Sequence, residues 1–385
     1  MKVLQVNKFY YPHVGGVENH VRSLAVGLRQ KGNGVDVRVL CANEAPHTEK
    51  TAVDGIEVTR LASIPSGSSA PIAPAFLWKL PDRNCDVHHV HYPSGLPEIA
   101  LAVSRRKVDG ALIVTYHSDI VRQKYLDKAF RPFVAKLLER ADRVIVGSPN
   151  IIDNSRLLAP VRKKCAVIPF GVDPEEFRLN GEVGEKAGKI REAHGDRLVF
   201  FLGRLIYYKG VEHLLRAMSE VDGVLLLGGT GPLEEKLKKT AREIGVADKV
   251  AFLGSVPKGE RCAYYKACDV FVLPSVEPSE AYGLTQVEAH MCGKPVVSTD
   301  LPTGVPFVNR DGETGFVVPP RDERSLAKAI NRLLNDEKLR LEMGERARKR
   351  ALSEFTVDKM VDRTLEVYSD ALKNGVAQMR GGAPL

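Results

Sequence analysis

The chain has one tryptophan, six cysteines and no two cysteines spaced Cys-x-x-Cys. Cys41, Cys85, Cys165, Cys262, Cys268 and Cys292 are scattered along it, which excludes a zinc ribbon or a disulfide framework and fits reduced, mostly buried thiols. No Asp-x-Asp pair occurs anywhere, so the short carboxylate clamp that holds a divalent metal on a nucleotide diphosphate is missing. The start, MKVLQVN, lacks the basic n-region and long apolar h-region of a secretory signal, and a cytoplasmic protein is expected. The long uncharged run from Leu61 to Trp78 is interrupted by Pro65, Gly67, Pro71 and Pro74. In lipid those breaks would leave backbone groups unpaired, so this run is expected to be a loop.

What is present is the composition of a soluble globular protein, 44% hydrophobic and 27% charged over 385 residues. At roughly 100–200 residues per domain that length suits two domains, each with its own core. The net charge of +8 is unevenly placed: residues 1–172 hold 24 Lys and Arg against 15 Asp and Glu, and the rest hold 32 against 33. An excess of +9 confined to the first part suits a domain that faces an anionic surface or acceptor, and equally suits a merely soluble one.

Short β-branched runs alternate with amphipathic stretches of helix length throughout, the pattern of βαβ units and parallel sheets. Strands are expected at Lys2–Asn7, Val35–Cys41, Ile56–Leu61, Asp86–His91, Ala111–His117, Arg143–Gly147 and Ala166–Phe170. A second series is expected at Leu198–Gly203, Gly223–Gly228, Val250–Gly254, Asp269–Pro274, Pro295–Ser298 and Gly315–Val318. The fold class is therefore α/β with two doubly wound domains, residues 1–172 and 173–355. The turn-rich Pro169–Pro174 joins them, and the polar stretch Leu179–Gly195 is expected to extend the linker. Residues 356–372 read as an amphipathic helix, and 373–385 as a loose tail. Ligands in such folds sit at the carboxyl ends of the strands, in a crevice between the sheets, which directs attention to the strand-to-helix loops.

Four loops share one chemical theme. Gly15 and Gly16 precede a helix with apolar positions Val17, Val21, Leu24 and Leu28, where bare backbone amides suit an anion; a plain tight turn is the alternative. Gly203-Arg-Leu-Ile-Tyr-Tyr-Lys-Gly210 puts Arg204 and Lys209 at the end of a buried strand with no acid between them, a setting for a departing diphosphate or for two solvated cations. Beyond Pro274, a helix cannot begin before about Tyr282, and the first amides of the one that follows, Gly283, Leu284 and Thr285, point at an anion site. Glu280 precedes that helix and Glu288 lies inside it, a pair of carboxylates able to accept hydrogen bonds from two sugars, though such spacing also arises by chance. His117 ends a strand aimed at the same crevice, where an imidazole could donate to a sugar hydroxyl, carry a proton or be structural. His88, His89 and His91 alternate in facing along one strand with no carboxylate partner, so no metal is expected.

Together these residues resemble the retaining glycosyltransferases of the GT-B fold, glycosyltransferase family 4. The likeness rests on Gly15-Gly16-Val-Glu-Asn-His20, Gly203-Arg204 with Lys209-Gly210, Gly228-Gly-Thr-Gly-Pro232, Phe252-Leu-Gly254, and Glu280 to Glu288 followed by Cys292-Gly-Lys-Pro-Val296. It covers nearly the whole chain. The resemblance implies an acceptor-binding first domain, a nucleotide-sugar-binding second domain, and a last helix returning to the first. Position by position it implies that Gly16 meets the diphosphate through its backbone, Arg204 and Lys209 neutralise it, Glu288 binds the ribose, Glu280 holds the sugar, His117 lies beside its reacting end, and Val256 and Gly229 line the base. It implies no metal, no cofactor and no enzyme nucleophile.

The stretch Asp300–Val308 looks like enzymes that build bacterial O-antigen or capsule chains, many of which use GDP-mannose, and a UDP-hexose is the alternative donor. Where a guanine-reading acid is sometimes found after Val256 stand Pro257 and Lys258, with Glu260 a substitute. The segment Ile120–Arg143 carries Arg122, Lys124, Lys128, Arg131, Lys136, Arg140 and Arg143, with an apolar stripe of Phe130, Phe133, Val134 and Leu137. It could lie on an anionic leaflet, which with a glycan or polyprenyl-diphosphate-linked acceptor completes the expected partners; no nucleic acid is among them. A nucleotide-sugar epimerase and a non-catalytic nucleotide-sugar binder are the rival functions. A NAD-dependent dehydrogenase would need Gly-x-Gly-x-x-Gly, which Gly15-Gly16 does not form.

Overall fold

The computed structural model describes all residues except 14, 32–33, 65–70, 81–83, 105–109, 120–123 and 382–385, and the side chains of all described residues save 124–129 and 374–381. The chain divides into two compact units, Met1–Gly171 with Val357–Leu385, and Val172–Thr356.

The first unit is built on an eight-stranded sheet. Its strands are β1 (Lys2–Val6), β2 (Asp36–Ala42), β3 (Glu49–Val53), β4 (Ile56–Leu61), β5 (Val87–Tyr92), β6 (Ala111–Tyr116), β7 (Arg143–Val146) and β8 (Cys165–Val167), in the order β3-β4-β2-β1-β5-β6-β7-β8. All pairs are parallel except β3 with β4. The second unit has β9 (Leu198–Leu202), β10 (Val224–Gly228), β11 (Val250–Gly254), β12 (Val270–Leu273), β13 (Val296–Thr299) and β14 (Gly315–Val318), all parallel, in the order β11-β10-β9-β12-β13-β14. β5, β6, β9 and β12 are buried along their whole length, as covering a parallel sheet on both faces requires. Strand order reverses at β1/β5 in the first unit and at β9/β12 in the second, and loops beyond strands at such a reversal are where doubly wound sheets bind ligands.

Three local expectations are corrected. The edge strand β3 was not foreseen in the weakly patterned Glu-Lys-Thr-Ala-Val; its signal is the two-residue turn Asp54-Gly55, both with positive φ (52° and 72°), which closes a hairpin onto β4. The polar stretch expected as linker is a helix, Gly181–His194, capped by Asn180, whose side chain accepts from the Val183 amide at 2.9 Å. Only Ala187 of that helix is buried and it contains Gly184 and Gly188, so it carries almost no amphipathic signal. The last helix runs Val357–Gly381, past the point where a tail was expected, and packs on the Gly16–Lys31 helix of the first unit.

The uncharged run ends in a one-turn helix, Phe76–Lys79, with Phe76 buried; positions 65–70 within it lie outside the described residues. In the basic segment, Arg122 and the side chains of Lys124 and Lys128 also lie outside them. Val134 and Leu137 belong to the core, while Arg131 and Lys136 are exposed. No helix among the described residues is long and apolar enough to cross a membrane.

Candidate functional site

In the second unit the two strands at the reversal each supply one half of a charged pair. After β9 the chain turns through Tyr207–Lys209 to Gly210, whose φ of 67° and contact with the Pro274 carbonyl leave no room for a Cβ. After β12 it runs through Ser275 to Glu280. Lys209 Nζ lies 2.5 Å from Glu280 Oε2, with side-chain exposures of only 12% and 9%. Ser275 Oγ donates to the same oxygen at 2.9 Å. Burial pulls the Lys209 pKa down, but the Glu280 carboxylate, helped by Tyr208, more than reverses this, so the net shift is upward and Lys209 is a firmly charged cation. The pair of cations expected from the sequence is thus unequal. Arg204 is exposed, whereas Lys209 is neutralised by an acid 71 residues away that its own loop does not contain.

Around this pair the backbone comes close. Gly229, after β10, has φ 124°, donates to the Gly254 carbonyl at 2.6 Å and lies against the Gly203 carbonyl, which a Cβ would strike. Val256, buried, packs where a side chain on Gly228 would stand. Gly283 takes the left-handed conformation (φ 72°) that opens the Leu284–Met291 helix, whose first amides, including those of Leu284 and Thr285, have no partner within the helix.

Glu288, on that helix, is buried beneath two groups sequence reading missed. Arg261 Nη1 is 3.5 Å from its Oε1 and the Tyr265 hydroxyl donates to Oε2 at 2.8 Å. Burial raises the Glu288 pKa against the pull of Arg261. Arg261 and Tyr265 stand four apart on the Arg261–Ala267 helix, a spacing that puts them on one face; nothing in the sequence tied that face to Glu288. Lys258 is exposed and bonded to Glu176 at 2.6 Å, and Glu260 is exposed.

In the first unit, Gly16 opens the helix that follows β1, and an added Cβ there would meet nothing within 4 Å. At Gly15 a Cβ would collide with the Glu18 carboxylate, which already lies over the positive end of that helix. His117 directly follows β6, 4% exposed, its ring 5.0 Å from both His20 and Phe170. Its Nε2 is 3.2 Å from His91 Nδ1. Of the three histidines on β5, His89 and His91 stack on one face at 4.4 Å, and it is His91 that joins His117 and His20, from three distant stretches. Nitrogens of His20, His91 and His117 lie within 4.8 Å of one another. Both nitrogens of His91 and Nε2 of His117 are engaged in hydrogen bonds, and the His20 ring meets both of theirs edge-on. Burial drives these imidazoles toward the neutral form, to a pKa of about 3 at His20.

Comparison with known proteins follows the same division. Residues 14–176 match the glycosyltransferase family 4 domain and residues 183–350 the group 1 glycosyl transferases. The O-antigen chain mannosyltransferase C of Escherichia coli is 30% identical over 97% of this chain and its own entire length. The D-rhamnosyltransferase WbpZ of Pseudomonas aeruginosa is 32% identical over 92% of both chains. Among solved structures, a sucrose-phosphate synthase from Thermosynechococcus elongatus superposes with a TM-score of 0.79 over 97% of this chain and 99% of its own, at 23% identity. HepE of Anabaena with UDP-glucose gives 0.76 over 96% and 100%, at 21%. These structural likenesses bear on the fold.

Proposed function

Since this chain belongs to the glycosyltransferases, a family 4 domain followed by a group 1 domain, we propose that it transfers mannose from GDP-mannose to a hydroxyl of a glycan or polyprenyl-diphosphate-linked acceptor, with retention at the anomeric carbon. The observation that carries this reading is the Lys209–Glu280 pair, a buried cation and a carboxylate brought together at the strand reversal of the second unit. A diphosphate takes over Lys209 as its counter-ion, with Arg204 and the first amides of the Leu284–Met291 helix beside it. Glu280 is then free to accept from sugar hydroxyls, and Glu288, held by Arg261 and Tyr265, accepts from the ribose. Val256 and Gly229 line the base. The family resemblance assigns the Gly15-Gly16 backbone to the diphosphate and His117 to the sugar.

In this scheme the acceptor oxygen attacks the anomeric carbon on the face the phosphate leaves. The carbon–phosphate oxygen bond breaks, and the departing oxygen takes the acceptor proton. No enzyme nucleophile is needed, and catalysis rests on fixed donors that stabilise the leaving diphosphate. No metal or cofactor takes part. The full-length likeness to an O-antigen mannosyltransferase supports mannose and a surface-polysaccharide acceptor. The +9 excess in residues 1–172 and the exposed Arg131 and Lys136 support an acceptor presented at the inner face of an anionic membrane.

Calorimetric titration with GDP, UDP and dTDP tests the donor. Tightest binding of GDP, followed by transfer from GDP-mannose to an acceptor and an axial anomeric linkage by NMR, is the expected result. Preference for UDP would replace the donor by a UDP-hexose. A sugar altered without acceptor would mark an epimerase, and binding without any turnover a sensor.

A further inference from the structure

A line of buried polar groups runs through the first unit and ends at His117. Gln5, on β1 and fully buried, accepts at Oε1 from His91 Nε2 at 2.7 Å, and its Nε2 donates to the Tyr368 hydroxyl at 3.0 Å. His91 Nδ1 faces His117 Nε2 at 3.2 Å. The Tyr368 hydroxyl is also 2.6 Å from His89 Nδ1, and His89 Nε2 is 2.6 Å from Thr115 Oγ1. Tyr368 comes from the Val357–Gly381 helix, so the last helix of the chain reaches the same line.

Donor and acceptor rules give this line a direction. A carboxamide oxygen has no proton to give, so the nitrogen of His91 that meets it carries the proton. A neutral imidazole has one N–H, which leaves His91 Nδ1 as an acceptor. The nitrogen of His117 that faces it must then be the protonated one. Reversing the carboxamide would reverse every proton along the line, which makes the orientation of Gln5 its determinant; in the orientation present, the Tyr368 hydroxyl accepts the amide N–H.

We infer that Gln5 is a positioning residue that acts through His91 to hold His117 as the neutral Nε2–H tautomer, with Nδ1 presented as a hydrogen-bond acceptor for a hydroxyl of the bound sugar. His117 then orients the sugar and does not transfer a proton in the reaction. Burial, with His20, His89 and Lys8 around the ring, opposes a second proton on it. The inference rests on the proposal that His117 touches the donor sugar; the tautomer itself does not.

Histidine-selective 15N NMR of the full chain without ligand reads the tautomer directly, with the His117 resonances identified by their loss in His117→Asn. One protonated Nε2 and one bare Nδ1 are expected for both His91 and His117. A protonated Nδ1 on His117 overturns the inference whether or not the enzyme proves to use GDP-mannose. Gln5→Met removes the acceptor at nearly constant volume. It is expected to mix the tautomers and lower kcat on the order of tenfold or more, while nucleoside diphosphate affinity and the donor KM stay within about twofold. Unchanged tautomer signals in a folded Gln5→Met chain would refute the assignment. A second pair avoids the β1 core: His117→Asn can place an acceptor where Nδ1 stood and should retain at least about tenfold more turnover than His117→Gln, which mimics only Nε2. Equal loss in the two would count against an acceptor at Nδ1.

Discussion

Replacing Lys209 by alanine would leave the Glu280 carboxylate, 9% exposed, with the Ser275 hydroxyl as the hydrogen-bond donor remaining on the same oxygen among the described residues. Removing one member of a buried ion pair typically costs about 3–5 kcal/mol, because the other charge stays desolvated without compensation. Glu280→Gln should cost somewhat less, since Lys209 reaches water more easily at 12% exposure. The double variant removes both charges of the pair and leaves neither unpaired, so its cost should fall short of the sum of the two singles by about 1–3 kcal/mol. Urea denaturation of the four proteins measures this coupling. Binding separates the roles. Losing one charge-assisted contact to a diphosphate, about 1.5–3 kcal/mol, weakens GDP roughly tenfold to a hundredfold in Lys209→Ala. Glu280→Gln releases the lysine for the ligand, so affinity should hold or rise while turnover collapses. Additive stabilities within about 0.5 kcal/mol, or an unchanged GDP affinity in folded Lys209→Ala, would refute the account of the pair.

Other expectations follow from neighbouring features. His20 and His89 are held near pKa 3 by burial, and His91 and His117 well below the ordinary value. Between pH 6.5 and about 3 the unfolded chain binds protons that the folded His20 and His89 rings refuse, so their contribution is full above about pH 6.5 and falls by ~1.4 kcal/mol per ring per pH unit below it, and His91 and His117 act in the same direction. Glu98 runs the opposite way: burial raises it to about 8, so its contribution is present in acid and lost as pH rises through 8, and Glu98→Gln should steepen the acid loss. A urea midpoint flat from pH 7.5 to 5 in that variant would contradict the burial argument. Glu288→Ala should weaken nucleotide binding at least tenfold, as a lost charged hydrogen bond does, with no effect on a sugar phosphate lacking ribose. Gly229→Ala forces a side chain against the Gly203 carbonyl at φ 124°; a cost above about 1 kcal/mol in thermal melts and loss of GDP binding are expected. EDTA should leave transfer rates unaltered, and a fall restored by a divalent cation would overturn the metal-free scheme.

Much of the architecture was readable along the chain because it depends on near neighbours. Apolar runs such as Leu198–Gly203 and Val270–Leu273 have no polar face to offer water, and so announced central strands of parallel sheets. Pro278 and Gly283 bar a helix before about Tyr282, and the Leu284–Met291 helix begins just beyond that point. The Gly181–His194 helix escaped notice since it buries a single residue, and β3 did because pairing at a sheet edge leaves little mark on side-chain pattern.

The residue types of the candidate site were visible for the same local reason: glycines, Arg204, Lys209, Glu280 and Glu288 stand in loops whose chemistry can be judged from a few neighbours. Their partners could not be judged so. Glu280 neutralises Lys209 from 71 residues away, Arg261 and Tyr265 hold Glu288 from the preceding helix, and Gln5 reaches Tyr368 across 363 residues. Hydrogen bonds and buried charges are satisfied by whatever the fold brings within about 3 Å, and that proximity is a property of packed sheets and helices, not of spacing along the chain.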